Sequence, residues 1–180
     1  MEEDVEKVLI SPDEIKLKCA ELGAAISRDF AGKTPLLVGV LNGAMAFMCD
    51  LMRHISIPLE IDTISVSSYG KGTVSGELHF KKDVSADITG RHVIFIEDIV
   101  DTGNTLKQVL AAFAERGAAS TSICSLLDKK ARREVEGLEL KYVGFECPNE
   151  FVIGYGLDYA ERYRNLPYVA VLKRSVYVDE

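Results

Sequence analysis

The residues best suited to chemistry lie in one short segment, 97–105. Three carboxylates fall within five residues and are followed by small polar residues and a glycine: Glu97, Asp98, Asp101, Thr102, Gly103, Asn104 and Thr105. Backbone N–H groups at a helix start, with threonine hydroxyls and a permissive glycine, form a cradle for an anion. Carboxylates beside that cradle would repel the anion unless they hold a cation or the ligand's hydroxyls. The segment therefore indicates a sugar-phosphate ligand accompanied by Mg²⁺.

A simpler interpretation is that Asp98 or Asp101 only closes a turn or caps the next helix, as aspartate often does. Three carboxylates directly after an apolar strand favour a ligand site over this interpretation. The sequence contains neither the P-loop pattern GxxxxGK[ST] nor the dinucleotide pattern GxGxxG. Both of those classes of nucleotide site therefore lose their main support.

The elements that must position this segment alternate between strands and helices. Unbroken apolar runs at 36–41 and 92–96 are typical of strands buried on both faces. Further strands are predicted at 59–67, 121–127, 142–145 and 169–172. Helices are predicted after a capping box at Ser11, over 44–53, and over 106–116 with Gly117 as C-cap. This alternation predicts an α/β fold with a mainly parallel sheet, whose ligands bind beyond the carboxyl ends of the strands.

Composition restricts the class of protein. The chain has 180 residues, 47% hydrophobic and 27% charged, which is typical of a globular protein and of a single domain spanning 1–180. No apolar run approaches the roughly 18–20 residues that a membrane helix needs, and the acidic N-terminus does not resemble a signal peptide. The net charge of −7 counts against non-specific binding of nucleic acid.

The four cysteines are far apart and form no CxxC pair: Cys19, Cys49, Cys124 and Cys147. Disulfide and metal frameworks usually show closer, paired spacing. Each cysteine has apolar neighbours, so we expect all four to be small buried residues in a reduced, cytoplasmic protein.

A longer pattern, VIFIEDIVDTGNTL, covers residues 93–106. It resembles the phosphoribosyl-pyrophosphate (PRPP) signature of the type I phosphoribosyltransferases, and the resemblance extends over nearly the whole chain. It is greatest to the family members that act on hypoxanthine or guanine. Four shorter matches support it: VLNGA at 40–44, SSYG at 67–70, FVIGYGLDY at 151–159 and RYR at 162–164.

The resemblance implies a type I phosphoribosyltransferase fold, in which helices flank a central, mainly parallel sheet and a small hood and a flexible loop are added. The implied reaction transfers 5-phosphoribosyl from PRPP to a 6-oxopurine, hypoxanthine and also guanine, giving IMP or GMP and pyrophosphate. The implied cofactor is Mg²⁺, and the implied assembly is a homo-oligomer, a dimer or a tetramer. Neither nucleic acid nor a membrane is an expected partner.

Roles for the acidic segment follow from the resemblance. Glu97 and Asp98 would bind the ribose hydroxyls, directly or through Mg²⁺, and the residues 101–105 would wrap the 5′-phosphate. Asp101 would face N7 of the purine as general base or hydrogen-bond acceptor. Position 104 is Asn where some family members carry Lys, which removes a side-chain charge at the phosphate but keeps the backbone contact.

The purine would be held by residues from two further segments. Lys129 would contact the exocyclic O6, although the pattern alone also allows it to be one charge in a solvated run with Lys130, Arg132 and Arg133. Phe151 would stack on the ring, and Val152 would bond the base edge through its backbone. Asp158, grouped with the purine residues, would also hold Mg²⁺.

Pyrophosphate would be held mainly by backbone N–H groups. In the family, the peptide bond matching Leu41–Asn42 can be cis, which would turn the N–H groups of Asn42 and Gly43 towards pyrophosphate. Arg164 would add a charged fork. Ser68 and Tyr69 would close over the reacting centre and exclude water, and the glycines that follow them fit a loop that moves: Gly70, Gly72 and Gly76.

Two other functions stay open at this point. A regulator could keep this fold and bind PRPP or a nucleotide while controlling transcription or RNA, but it would be expected to show a basic face. A related transferase could act on xanthine or a pyrimidine. Phe151 and Lys129 favour a 6-oxopurine without separating hypoxanthine, guanine and xanthine.

Overall fold

A computed structural model describes residues 1–69 and 77–178 of the chain. Within these ranges the strands are β1 (Val5–Ile10), β2 (Leu36–Val40), β3 (Glu60–Tyr69), β4 (Glu77–Lys82), β5 (His92–Val100), β6 (Ser120–Asp128), β7 (Tyr142–Glu146), β8 (Val152–Ile153) and β9 (Val169–Leu172). The helices are α1 (Pro12–Asp29), α2 (Met45–Met52), α3 (Asn104–Glu115) and α4 (Arg174–Tyr177). The predicted loop glycines and the side chains of Ser68 and Tyr69 lie outside the described residues.

The central sheet has six strands in the order β4-β3-β2-β5-β6-β7. Strands β3, β2, β5, β6 and β7 are parallel, and β4 pairs antiparallel with β3. Since the parallel strands all end at one edge, the residues after β2, β5 and β6 meet there. The predicted α/β fold with a mainly parallel sheet is confirmed.

A second, smaller sheet forms the hood. It has three antiparallel strands in the order β1-β9-β8, so the first strand of the chain pairs with the last. Its own apolar cluster contains Ile153, Tyr163, Leu166, Ala170 and Leu172. The hood therefore brings the region around residues 151–164 to the central sheet.

Helices cover both faces of the central sheet. Alternate residues of β2, β5 and β6 point to opposite sides: Leu37, Ile94 and Cys124 pack with α1 and α2, whereas Val38, Phe95 and Ile123 pack with α3. This explains why the strand sequences are apolar without alternation. Helix α1 begins with the predicted capping box, in which Ser11 and Glu14 exchange side-chain and backbone hydrogen bonds.

Several local predictions are wrong. Strand β5 continues past residue 96, because Glu97 pairs with Ser125 and Ile99 with Leu127 of β6. The acidic residues therefore start on the strand and not after it. Strands β1, β4 and β8 are not predicted by periodicity, since β8 has two residues and β1 is largely exposed. Cys49 is exposed on α2, whereas the other three cysteines are buried and all four are free.

None of the helices in the part of the chain that the structure describes has the length and apolar character needed to cross a membrane.

Candidate active site

A cavity of about 190 Å³ opens beside the end of β5. Its lining runs through the acidic segment into the first turn of α3: Glu97, Ile99, Val100, Asp101, Thr102, Gly103, Thr105 and Leu106. The lining thus contains two of the three carboxylates that the sequence singled out, Glu97 and Asp101, together with Thr102, Gly103 and Thr105. Asp98 and Asn104 are not part of it.

The two carboxylates on β5 are half-buried. Burial raises the pKa of Asp98 to about 6, although the backbone N–H of Ile99, which donates to Oδ1 at 2.7 Å, favours the charged form. Burial also raises the pKa of Glu97 well above its ordinary value, and the negative charge of Asp98 adds to this effect. Because both groups resist ionisation, a cation or hydroxyl donors at this site would be strongly favoured.

The β2 end approaches Asp98 so closely that a side chain at position 43 would displace its carboxylate. A Cβ atom at position 43 would lie 1.7 Å from Oδ2 of Asp98. The peptide bond between Leu41 and Asn42 is cis, as the resemblance predicts. Gly156 comes from the hood side of the site, and a Cβ atom there would lie 2.0 Å from the carbonyl oxygen of Gly43. Three separate segments therefore meet at Gly43.

The phosphate cradle is the N-terminal turn of α3. Gly103 is the N-cap residue with a φ of 83°, a left-handed conformation that favours glycine. A Cβ atom at Gly103 would also collide with Val135 and Leu138 at 2.7 Å. Asn104 donates from Nδ2 to Glu134 at 2.7 Å, so its side chain contributes to packing while its N–H remains at the helix start.

Asp101 follows β5 directly and lines the cavity. Its Oδ1 atom is buried and accepts no hydrogen bond from the described residues. The Nε atom of Arg132 lies 3.5 Å from that oxygen in a half-exposed ion pair. Asp101 is therefore able to accept a hydrogen bond from a ligand in the cavity.

Lys129 lies immediately after β6, half-buried. Its backbone N–H donates to the carbonyl of Val100 at 3.0 Å, which ties it to the end of β5. Its Nζ donates to the carbonyl of Glu150 at 2.7 Å, next to Phe151. The structure thus brings Lys129 beside both Asp101 and Phe151.

Residues 129–134, here called the basic strap, run along the acidic segment. Arg133 is a half-buried cation of the strap: Nη2 donates to Oδ1 of Asp128 at 2.6 Å, and Nε donates to the carbonyl of Asp101 at 3.1 Å. The N–H of Glu134 donates to the carbonyl of Thr102 at 3.0 Å. The strap therefore fixes the backbone of the cradle from outside.

The sequence prediction missed Arg133. It lies in a run of four basic residues that looks uniformly solvated, yet the structure separates them. Lys130 forms an exposed ion pair with Glu146, and the side chain of Arg132 is 55% exposed, whereas that of Arg133 is 17% exposed. Only burial distinguishes these side chains, and the local sequence carries no signal for it.

The purine segment lies on the hood. Phe151 is 37% exposed, and Val152 is buried at the start of β8, paired with Val171. The carbonyl of Phe151 accepts a hydrogen bond from the N–H of Leu172 at 2.9 Å. Phe151 therefore has a fixed backbone and a ring that reaches the surface.

Asp158 and Arg164 form an ion pair. Nη2 of Arg164 lies 3.0 Å from Oδ1 of Asp158, and Nη1 donates to the carbonyl of Gly156 at 2.8 Å. The charges of Arg164 and Asp158 both affect the pKa of Asp98, in opposite directions, so the pair lies near the acidic end of β5.

The donor set of the acidic segment fits Mg²⁺. Among residues 1–69 and 77–178, no three His, Cys, Asp or Glu side chains form a ready-made metal site. Mg²⁺ is often bound by one or two carboxylates and completed by water and substrate phosphates, so Glu97 and Asp98 are sufficient as protein ligands. That Glu97, Asp98 and Asp158 hold the ion stays a prediction.

Comparisons with known proteins agree with this geometry. A family model described as "Phosphoribosyl transferase domain" matches residues 8–160. A hypoxanthine-guanine phosphoribosyltransferase of Streptococcus pneumoniae is 54% identical over 98% of both chains. A hypoxanthine phosphoribosyltransferase of Staphylococcus aureus has a TM-score of 0.96 and 46% identity, covering 99% of this chain and 97% of that one. A Trypanosoma cruzi hypoxanthine phosphoribosyl transferase, studied for the role of its C-terminal region in oligomeric state and activity, has a TM-score of 0.92 and 38% identity over 97% of this chain and 95% of its own. The chain therefore belongs to the type I phosphoribosyltransferase family, in the branch that holds the hypoxanthine-guanine phosphoribosyltransferases.

Proposed function

We propose that this enzyme salvages purines by transferring the 5-phosphoribosyl group of PRPP to a 6-oxopurine, hypoxanthine or guanine, with release of pyrophosphate. The observation that carries the proposal is the shared cavity, in which Glu97 and Asp101 line the same space as the N-terminal turn of α3. A phosphorylated sugar needs an anion cradle and hydroxyl acceptors side by side, and this arrangement offers both.

Asp101 is assigned to the purine. As N9 of the base attacks C1′ of the ribose, the proton on N7 becomes more acidic, and Asp101 accepts a hydrogen bond from it or takes it. The Asp101 carboxylate supports this role because it lines the cavity and its Oδ1 accepts no hydrogen bond from the described residues, with Nε of Arg132 in an ion pair at 3.5 Å. A carboxylate at this place also favours the positive charge that develops on the ribose as pyrophosphate leaves.

Lys129 is assigned to base selection. Its ammonium has three N–H donors and uses one of them on the carbonyl of Glu150. The remaining donors suit the O6 acceptor of a 6-oxopurine and disfavour adenine, which carries an amino donor there. Phe151 would stack on the same base, and the backbone of Val152 would bond its edge.

Pyrophosphate is assigned to the β2 end and to the hood. The N–H of Asn42 belongs to the cis peptide bond and that of Gly43 follows it, and Arg164 adds a guanidinium near Asp98. Ser68 and Tyr69 are assigned to closure over the reacting centre.

Residues 101–105 hold the 5′-phosphate, and Glu97 and Asp98 hold the ribose hydroxyls and Mg²⁺. The bound metal ion would neutralise pyrophosphate charge.

The test is a pyrophosphate-release assay with PRPP and Mg²⁺ on hypoxanthine, guanine, xanthine and adenine. We expect base-dependent release with hypoxanthine and guanine. The kcat/KM for adenine should be at least about 100-fold lower, because its amino group would place an N–H donor against the N–H donors of Lys129. No base-dependent release, together with a salt-sensitive mobility shift of DNA or RNA, would instead assign the chain to the regulators.

We also propose a homo-oligomer, a dimer or a tetramer, and a cytoplasmic location. The family resemblance supports the first, and four unpaired cysteines support the second. Light scattering after size exclusion should give two or four times the 19.8 kDa of one chain. A mass of 19.8 kDa at micromolar concentration would contradict the oligomer.

A further inference from the structure

Helix α4 places an aromatic ring against the purine segment. Tyr177, its last residue, stacks on Phe151 with ring centroids 5.0 Å apart and an interplanar angle of 27°. This contact joins residues 26 positions apart, and α4 lies beyond the residues 8–160 that the family model matches. None of the motifs that carry the family resemblance includes Tyr177, since the last of them ends at residue 164.

A third ring completes the cluster. Tyr159 meets Phe151 edge-on, with centroids 5.5 Å apart and planes at 90°, and it meets Tyr177 at 6.4 Å and 64°. Offset-stacked and edge-to-face pairs are the favoured geometries of aromatic side chains. The two tyrosines thus restrict both the position and the tilt of the Phe151 ring.

Tyr177 stacks on the hood side of Phe151. Tyr159 and Tyr177 both pack against the hood cluster of Ile153, Tyr163, Leu166, Ala170 and Leu172. Phe151 nevertheless keeps 37% of its surface exposed. A ring has two faces; Tyr177 stacks on one of them, and the other, here called the open face, is the one to which the proposed function assigns the base.

The open face belongs to the same site as Lys129. The ammonium of Lys129 donates to the carbonyl of Glu150, one residue before Phe151. A planar base stacked on the open face would therefore lie within the same neighbourhood as the cation assigned to its oxygen.

We propose that Tyr177 is a positioning residue for the purine: its ring supports the hood side of Phe151 and so holds the open face ready for the base. This inference rests on the proposed function, in which Phe151 stacks on the base. Without the support, Phe151 would have to lose rotamer freedom when the base binds, which weakens base binding and leaves PRPP binding unchanged.

The experiment compares initial rates of pyrophosphate release for the full-length protein and four variants. Tyr177→Leu and Tyr177→Met remove the ring but keep an apolar side chain, and two variants are used in case one does not fold. Tyr177→Phe keeps the ring. Val176→Ala is the matched control, because Val176 packs against the same hood cluster without stacking on Phe151. Thermal melts establish that each protein is folded.

We expect Tyr177→Leu and Tyr177→Met to raise the KM for hypoxanthine about 3- to 10-fold, the range expected for loss of one stacked aromatic contact. The KM for PRPP should stay within about 2-fold, Tyr177→Phe should restore the KM for hypoxanthine, and Val176→Ala should resemble the wild type.

Three results would overturn the inference while the wild type remains active. An unchanged KM for hypoxanthine would show that the ring plays no part in base binding. A lower KM for hypoxanthine would show that the Tyr177 ring occupies the position where the base binds. An equal rise in Val176→Ala would show a general packing effect. Absence of pyrophosphate release by the wild type would instead contradict the proposed function itself.

Discussion

Asp101 is the residue on which the proposed chemistry most directly depends. Replacing it by Asn keeps the size of the side chain and removes the negative charge and one acceptor. We expect kcat to fall by roughly 10²–10⁴-fold, the usual scale for loss of an acid–base group. Since the Asp101 side chain is 43% exposed, the melting temperature should change little.

The control for Asp101→Asn is Glu115→Gln, which makes the same charge change at an exposed position on α3. Glu115→Gln should retain wild-type turnover. Unchanged turnover in folded Asp101→Asn protein would remove Asp101 from the mechanism.

The raised pKa of Asp98 predicts how the stability of the fold depends on pH. Its pKa is raised from 3.8 to about 6 in the fold, so the folded state prefers the protonated form. The cost of ionising it therefore grows as the pH rises from about 4 to 6 and is complete above 6. Asp98→Asn should relieve this cost, at most about 3 kcal/mol, while lowering activity.

The measurement is the melting temperature of metal-free protein in EDTA between pH 4 and 8. We expect Asp98→Asn to melt at the wild-type temperature near pH 4 and higher above pH 6, by about 2–4 °C for each kcal/mol relieved. A variant that melts lower than the wild type at pH 7.5 would contradict the stated environment of Asp98.

Among the elements, the basic strap shows how a short segment positions its neighbour. Arg133→Gln would leave Asp128, whose side chain is 7% exposed, without its cation and would free the carbonyl of Asp101. We expect a loss of about 3 kcal/mol in the free energy of unfolding and a higher KM for PRPP. Urea denaturation and initial rates measure the two effects.

Lys130→Gln is the matched control for the strap, since Lys130 forms an exposed ion pair with Glu146. Such pairs contribute about 0–1 kcal/mol, so this variant should remain close to the wild type in both measurements. Equal losses in Arg133→Gln and Lys130→Gln would show that burial of Arg133 is unimportant.

Elements differ in how far their own sequence predicts them. The predicted start of helix α1 is correct, because a capping box is a hydrogen-bond pattern between residues close in sequence. The predicted end of β5 is wrong, because the strand is extended by the pairing of Ile99 with Leu127, a residue of a strand more than twenty residues away. The two-residue strand β8 forms by pairing with β9, and two residues are too few to show a hydrophobic periodicity.

For the molecule as a whole, the contact between Gly156 and Gly43 is where the hood meets the central sheet. Gly156 has a φ of 101°, and a Cβ atom there would lie 2.0 Å from the Gly43 carbonyl oxygen. We expect Gly156→Ala to lower the free energy of unfolding by more than about 2 kcal/mol and to reduce kcat, since both strain and a clash act.

Gly90→Ala separates strain from the clash. Gly90 has a φ of 71° with nothing within 4 Å of a Cβ atom, so this variant should lose only the roughly 1–2 kcal/mol of left-handed strain and keep its activity. Equal effects of the two substitutions on stability and turnover would show that the hood contact is unimportant.

This contact is also the reason to propose that residues 1–180 unfold as one domain. Strand β1 at the start of the chain pairs with β9 near its end, so the hood cannot form before both ends are in place. Chemical denaturation should give one transition, with coincident midpoints from circular dichroism and tyrosine fluorescence. Two separated midpoints would contradict a single domain.

The local sequence was enough for the features that depend on neighbouring residues. The acidic segment 97–105, the apolar strands and the α3 turn are set by residue type and spacing, and they already indicate a sugar-phosphate site in an α/β fold. The net charge of −7 does not exclude a phosphate ligand, because in the proposed function the acidic residues bind hydroxyls and a cation while backbone N–H groups meet the anion.

Contacts between distant segments were decided only by the tertiary structure. The approach of Gly43 to Asp98, the burial of Arg133 among four similar cations and the stacking of Tyr177 on Phe151 join residues that are close in space but separated along the chain. Such contacts depend on how strands and hood pack together, and the same residue types would be solvated if the packing differed.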